Sequence, residues 1–377
     1  MSKIDELIKR LCPNGVALIP MKDVSEIKRG DRITKKDITS DGDYIVMSGG
    51  VNPMGRYSNK NRNANTITIS SYGAAGYVNY IEEDFWANDV CLSVFPNEEV
   101  LNKKYLYYVL KSKQQYIFDN TTKAIPDHIP TRFLEELPIP IPPLEVQSEI
   151  VRILDIFTEL TAELTAELAF RKKQYEYYKS TLLSDEYLGA NCDSVRKMRV
   201  DEICNISRGV VISKDYIRDN PGDYPVYSSQ TENDGVLGKI NSYSYDGEYI
   251  TWTTDGANAG TVFRRIGKFN ITNVCGLLRL HREDVLLDYL YYALSIQAKK
   301  YVSSGMGNPK LMSNVMSRIV VSVPSIDLQK RIVSSLNRFN GVCYDVEKGI
   351  PAEIGARCKQ YEFYRDKLLA FDEVKAA

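Results

Sequence analysis

The chain has 377 residues, of which 44% are hydrophobic and 26% charged, with 48 basic against 49 acidic side chains. An apolar fraction of that size excludes wholesale disorder, and the length predicts two domains of ~100–200 residues each. The net charge of −1 excludes a uniformly basic nucleic-acid binder, so any footprint for a polyanion must be local.

The start, MSKIDELIKRLC, carries no signal-peptide core, and no run approaches the ~18 apolar residues of a membrane span, so a soluble, cytoplasmic chain is expected. Seven cysteines without a C-x-x-C pair, and two histidines, argue against a disulfide framework or a zinc site. Tyrosine is abundant, with 26 copies against 11 of phenylalanine.

Five segments recur in the same order about 180 residues apart. DGDYIVMSGG (41–50) matches PGDYPVYSSQ (221–230), and FWANDVCL (85–92) matches FNITNVCG (269–276). YLYYVL (105–110) matches YLYYAL (289–294), LPIPIPPLEVQSEIV (137–151) parallels IVVSVPSIDLQKRIV (319–333), and KKQYEYYKSTLL (172–183) parallels CKQYEFYRDKLL (358–369). Chance supplies one such match, not five in register, so the chain is a tandem repeat.

Each copy opens with a mixed domain, roughly 18–143 and 197–325. TITIS (66–70) and YITWT (249–253) read as strands, each followed by a Gly-Ala turn cluster, YGAAG (72–76) and DGANAG (255–260). The YLYYVL and YLYYAL stretches suit a short helix. IPIPPL (139–144) is an extended edge segment, because alternating proline fits neither a helix nor a central strand. The expected boundaries are 1–143 for an N-terminal helix and first domain, 144–190 for a central helix, 191–325 for the second domain and 326–377 for a C-terminal helix.

From Leu144 to Leu183 apolar residues step by three and four, including Ile150, Phe157, Leu164, Leu168 and Tyr175. Acidic residues lead and basic ones follow, as a helix dipole favours. The second copy keeps the seam in Ile332, Leu336, Phe339, Tyr361 and Leu368, and Gly349-Ile350-Pro351 predicts a kink or break. A helix of ~40 residues spans about 60 Å. The ten seam residues are expected to pack the two helices on each other, as in a coiled coil.

Sites for chemistry are scarce. GGVNPMG (49–55) and SGMGNPK (304–310) lack the strand–helix context of a phosphate loop, and the Asn/Asp-Pro-Pro-Tyr/Phe motif of adenine methyltransferases is missing. Ser70-Ser71 and Thr253-Thr254 follow strands, yet no histidine stands at an equivalent place in both copies: His128 falls opposite Leu311, and His281 opposite Asn97. Glu82, Glu83 and Asp84 read as a solvated charge run, and Cys91 and Cys275 as core filler. Local charge says more. Nine basic residues face six acidic ones between Lys22 and Arg62, and Lys103, Lys104, Lys111, Lys113 and Lys123 face only Asp119. Basic domains joined by acidic helices fit a polyanion on the domains and a protein partner on the helices.

These pieces together resemble the specificity (S) subunits of type I restriction–modification systems over essentially the whole chain. The resemblance rests on MSKIDELIKRLCPNGV, on MKDVSEIKRGDRITKKDI echoed by MRVDEICNISRGVVISKDYI, and on the turns TITISSYGAAGYV and YITWTTDGANAGTVF. FWANDVCL, IPPLEVQSEIV and the helix ends RKKQYEYYKSTLL and RCKQYEFYRDKLL complete it. It implies an α+β protein with two target-recognition domains, each followed by a long helix, and an antiparallel coiled-coil spacer. Each domain would read one half of a bipartite, asymmetric site in double-stranded DNA. Two DNA adenine methyltransferase subunits would dock on the helices, restriction (translocase) subunits would join them, and the chain itself would be non-catalytic. S-adenosylmethionine, ATP and Mg²⁺ would belong to those partners.

Residues expected at the DNA are Arg29, Arg32, Lys35, Lys36, Arg56, Lys60, Arg62 and Tyr72 in the first domain. In the second they are Arg208, Lys214, Arg218, Lys239, Trp252, Arg264, Arg265 and Lys310. The alternatives are the recognition subunit of a type IIB restriction enzyme, a stand-alone enzyme acting on DNA or nucleotides, and a coiled-coil scaffold without a DNA role.

Overall fold

The computed structural model describes residues 3–122, 125–303, 307–345 and 348–373. The chain divides into two compact units: residues up to Thr165 together with those from Glu353 onward, and Ala166–Ala352. Lys123 lies outside the described residues.

In the first unit an antiparallel sheet runs in the order Ser25–Arg29, Cys91–Pro96, Thr66–Ser70, Val78–Ile81. A second, three-stranded sheet joins Arg56–Tyr57, Tyr44–Met47 and Phe85–Ala87, the last two in parallel. The second unit fuses these parts into one six-stranded sheet, because a single strand, Val262–Ile271, does the work of both Val78–Ile81 and Phe85–Ala87. What separates the two strands in the first unit is Glu82-Glu83-Asp84. Only part of that acidic run is solvated: Asp84 pairs with Lys60 at 2.5 Å and accepts the Ala64 N–H at 2.8 Å, which holds its carboxyl below the usual range.

The proline segment Pro138–Pro140 is an edge strand, paired only with Leu18–Pro20 in a two-stranded ladder. Its counterpart Val320–Val323 pairs with Arg196–Arg199. The YLYY motifs lie on the helices Lys103–Ser112 and Leu287–Gln297. Asn102 caps the first by accepting the N–H groups of Lys104 and Tyr105.

Much of the tyrosine usage becomes clear on these two helices. Tyr105 donates its hydroxyl to Pro140 O at 3.1 Å, and Tyr289 to Ser322 O at 2.6 Å. One turn on, Tyr108 donates to Asp155 and Tyr292 to Asn337, at 2.5 and 2.6 Å. Phenylalanine would fill the same space but lose all four hydrogen bonds.

The central helix runs Leu144–Leu182, 39 residues or about 60 Å. In the second unit its later half lies antiparallel to the helix Ile326–Tyr344: Tyr175 meets Tyr344 and Tyr178 meets Phe339, so numbers rise on one helix as they fall on the other. In the first unit its earlier half pairs with the helix Ile350–Leu369, where Phe157 stacks on Tyr364 with centroids 5.3 Å apart. Fold class and spacer therefore follow the sequence reading. Among the seam residues Ile150, Tyr175, Ile332, Leu336 and Leu368 are buried, and Phe157, Leu164, Leu168, Phe339 and Tyr361 half-buried. Ile332 and Leu336 share a cluster with Tyr289 and Tyr292, so that part of the seam packs on its own domain as well as on a helix.

The expected break is present, with a twist in its cause. The helix stops at Tyr344 and restarts at Ile350, and Pro351 lies in the first turn of the new helix, where a missing N–H costs nothing. Gly349 is the residue the turn requires, since a Cβ there would meet Gly341 O at 2.6 Å.

Candidate nucleic-acid interface

In each domain two strands flank a third, so that their ends emerge side by side. Ser25–Arg29 and Thr66–Ser70 flank Cys91–Pro96, and Cys204–Arg208 and Tyr245–Thr253 flank Cys275–Leu280. Beyond Ser70 and Thr253 the chain turns sharply through the Gly-Ala clusters. One set of backbone hydrogen bonds builds both turns. Ser71 N–H donates to Val90 O (2.9 Å) and Thr254 N–H to Val274 O (3.1 Å), while the next loops attach through Ile129 N–H to Ser71 O (3.1 Å) and Leu311 N–H to Thr254 O (2.9 Å).

That frame carries different side chains in the two domains. In the first, Tyr72 bridges His128 across the turn and their rings stack, with centroids 5.5 Å apart and 26° between planes. His128 Nδ1 lies 2.7 Å from Thr122 Oγ1. In the second, the equivalent bridge joins Asp255 to Lys310. Asp255 lies 3.7 Å from Lys310 Nζ and 3.6 Å from Arg208 Nη2, and Arg208 also donates to Asn273 O (2.6 Å) and Thr254 Oγ1 (3.2 Å). The sequence comparison set His128 against Leu311; the hydrogen bonds set it against Lys310. His128 and Asp255 thus join the candidate residues at these turns, a placement that the sequence comparison did not give.

Around the first turn Arg29, Arg32, Lys35 and Lys36 are exposed along the chain leaving the edge strand, with Arg32 3.9 Å from Asp89. Three other candidates of that domain are engaged within the fold. Arg56 donates to Gly42 O and Asp43 O, both at 2.6 Å, and fastens that loop. Lys60 pairs with Asp84, and Arg62 donates to Ser93 Oγ, Asn61 O and Arg29 O. In the second domain Arg208 and Lys310 meet at the turn, and Lys214 and Lys239 are exposed. Arg218 is exposed but flanked by Asp215 and Asp219 on its own helix. Arg264 is clamped between Glu248 and Asp288.

Two candidates are corrected outright. Trp252 is 0% exposed, donates its indole N–H to Leu311 O at 2.9 Å, and lies on Gly276, where a Cβ would come within 2.2 Å of the ring. It is core and cannot reach DNA. The Arg265 side chain is 2% exposed, paired with Asp234 at 2.5 Å and 3.6 Å over the Tyr227 ring. Its charge is neutralised internally.

Cys91 and Cys275 lie beneath the turns. Burial pushes both thiols up to about 12, so they remain protonated packing groups.

The chain matches the family model described as the type I restriction modification DNA specificity domain in two segments, residues 13–169 and 193–356. It belongs to that family. A Mycoplasma pneumoniae chain named as a type I specificity subunit is 45% identical over 235 residues, covering 61% of this chain and 92% of the relative. The specificity subunit of the type I restriction enzyme MpnII of the same organism is 45% identical over 202 residues, covering 52% and 61%. The crystal structure of the S subunit of a type I restriction–modification system from M. genitalium shares the fold, with a TM-score of 0.64 at 20% identity over 94% of this chain and 96% of that one. No helix among the described residues is long and apolar enough to cross a membrane.

Proposed function

We propose that the chain is the non-catalytic DNA-reading subunit of a type I restriction–modification complex, and that its two domains read the two unlike halves of a bipartite DNA site. One observation carries this reading: a single backbone frame, built twice, ends an edge strand on an arginine in both domains (Arg29 and Arg208) but presents Tyr72 and His128 across the turn of one and Asp255 and Lys310 across the turn of the other. Equal frames present their side chains alike, and unequal side chains select unequal bases. The exposed Arg29, Arg32, Lys35 and Lys36, and Lys214 and Lys239, supply phosphate contacts that set register without reading sequence.

The helices are the docking sites for two copies of a methyltransferase subunit. Each unit carries the same aromatic ledge. Tyr177 meets Tyr178 edge-on, and Tyr178 stacks on Phe339; Phe363 meets Tyr364 edge-on, and Tyr364 stacks on Phe157. Tyr177 and Phe363, at the outer end of each ledge, are 65% and 63% exposed. Exposed aromatics of that size, repeated once per unit, fit two copies of one partner. S-adenosylmethionine, ATP and Mg²⁺ belong to the methyltransferase and restriction subunits, and the helices set the distance between the half-sites.

Long-read methylation mapping in cells expressing the chain with its neighbouring methyltransferase gene tests the reading. A two-part adenine-methylated motif with unspecified bases between its halves is expected. A folded complex that leaves no such mark overturns it.

A further inference from the structure

We infer that Lys310 and Arg208, held together by Asp255, are the base-specifying contact of the second domain and that they take a guanine; the Tyr72–His128 stack is the non-guanine counterpart in the first. This rests on the DNA-reading function proposed above.

The chemistry at the two equivalent places argues for it. Arg208 is immobilised by three polar contacts around its Nη2, to Asn273 O, Thr254 Oγ1 and Asp255, and Lys310 shares the same carboxylate. A fastened Arg208 and a half-exposed Lys310, both drawn to one carboxylate, bring two cationic donors towards the paired acceptors O6 and N7 that guanine shows in the major groove. A phosphate would be a poorer ligand, because the Asp255 carboxylate lies between the cations and repels a second anion. The same carboxylate can instead accept from the N4 amino group of the paired cytosine. The lysines on the exposed segments, free of such a carboxylate, suit phosphates better. In the first domain Arg29 stands where Arg208 stands in the second, but the turn beside it carries the stacked Tyr72 and His128 rings in place of Asp255 and Lys310, and the His128 Nδ1 is engaged with Thr122. The first half-site therefore lacks a guanine at the position that Lys310 and Asp255 specify in the second.

The test uses the complex of the full chain with its co-expressed methyltransferase. Wild type and Lys310→Ala are compared by methylation mapping. One guanine in one half-site becomes degenerate in the variant, and the other half-site is unchanged. Independently, the wild-type complex is titrated with duplexes carrying 7-deazaguanine at each guanine in turn. Binding weakens roughly 5- to 10-fold at a single position, from loss of the N7 acceptor. In the Lys310→Ala complex that position loses its penalty. The inference is overturned if no guanine shows the penalty in wild type, or if Lys310→Ala lowers methylation equally for every base at every position, as loss of a phosphate contact would. The 7-deazaguanine series on wild type decides the matter even if the variant fails to fold. A wild-type complex that leaves no bipartite mark overturns the function itself; a bipartite mark without the guanine penalty overturns only this assignment.

Discussion

Gln147 and Gln329 make the same three hydrogen bonds in the two halves of the chain. Gln147 accepts the Asn102 N–H at 2.7 Å and donates to Val100 O and Pro142 O at 2.9 and 2.7 Å. Gln329 accepts the Leu286 N–H at 2.8 Å and donates to Asp284 O and Pro324 O at 3.0 and 2.9 Å. Both are fully buried. Each amide joins the first turn of a spacer helix to the loop that starts the YLYY helix, fixing the angle at which a recognition domain leaves its helix.

Replacing Gln329 with leucine keeps the volume and strands three buried backbone groups. At about 1–3 kcal/mol for each unsatisfied group, partly relieved by water, a loss of roughly 2–4 kcal/mol is expected. Urea unfolding of the chain in its complex measures it. A change under about 0.5 kcal/mol would show that the amide is not holding the joint.

Glu149 ties the N-terminal helix Lys3–Leu11 to the central helix. Its carboxylate, 5% exposed, is bonded first by Arg152 at 2.7 Å and then by Lys3 at 2.8 Å, and its pKa falls to about 2. The folded value lies below the unfolded one of about 4.3, so the stabilisation is complete above that pH and is lost as the pH falls towards 2. The stability gap between wild type and Glu149→Gln should be widest near neutrality and shrink progressively below about pH 4.3. A gap that holds constant down to pH 2.5 would disprove the assignment.

How far the sequence alone reaches is visible at particular residues. The helices of the YLYY motifs and the proline edge are legible because each recurs in both copies and its local residue chemistry admits one element, whereas the bonds of Gln147 and Gln329 become visible only in the fold. His128 was not legible, since the loop from Thr122 to His128 is one residue shorter than that from Ser303 to Lys310, and an alignment carried in from the flank slips by one. Trp252 and Arg265 misled for another reason. The strand Tyr245–Thr253 is buried on both faces from Tyr249 onward, so alternation does not reveal which side chains face water. Arg265 is cationic in sequence but neutralised by Asp234, a residue 31 positions away that only folding brings near.

That contrast between Arg265 and the free lysines separates stability from binding. Arg265→Ala removes a buried side chain that packs on the Tyr227 ring, and should destabilise the second domain by about 2 kcal/mol, chiefly through lost packing since Asp234 is left exposed to water. The double change Lys35→Ala, Lys36→Ala touches two exposed side chains and should leave unfolding within about 0.5 kcal/mol of wild type. It should instead weaken DNA binding for every sequence alike and reduce the slope of log affinity against log salt by up to ~2. An unchanged salt slope would remove these lysines from the phosphate contacts.

The two aromatic ledges give the last test. Tyr177 and Phe363 project from helix faces and carry little of the fold, so Tyr177→Ala and Phe363→Ala should each unfold within about 0.5 kcal/mol of wild type. If each ledge anchors one methyltransferase subunit, either change lowers affinity at one docking site roughly tenfold or more and leaves the other intact. Native mass spectrometry would then show wild type carrying two methyltransferase copies, each single variant shifting to one copy at limiting partner, and the double variant losing both. Independent losses are required by the argument, because the ledges belong to separate units and share no residue. Full occupancy by two copies in the double variant would place the docking surface elsewhere on the helices.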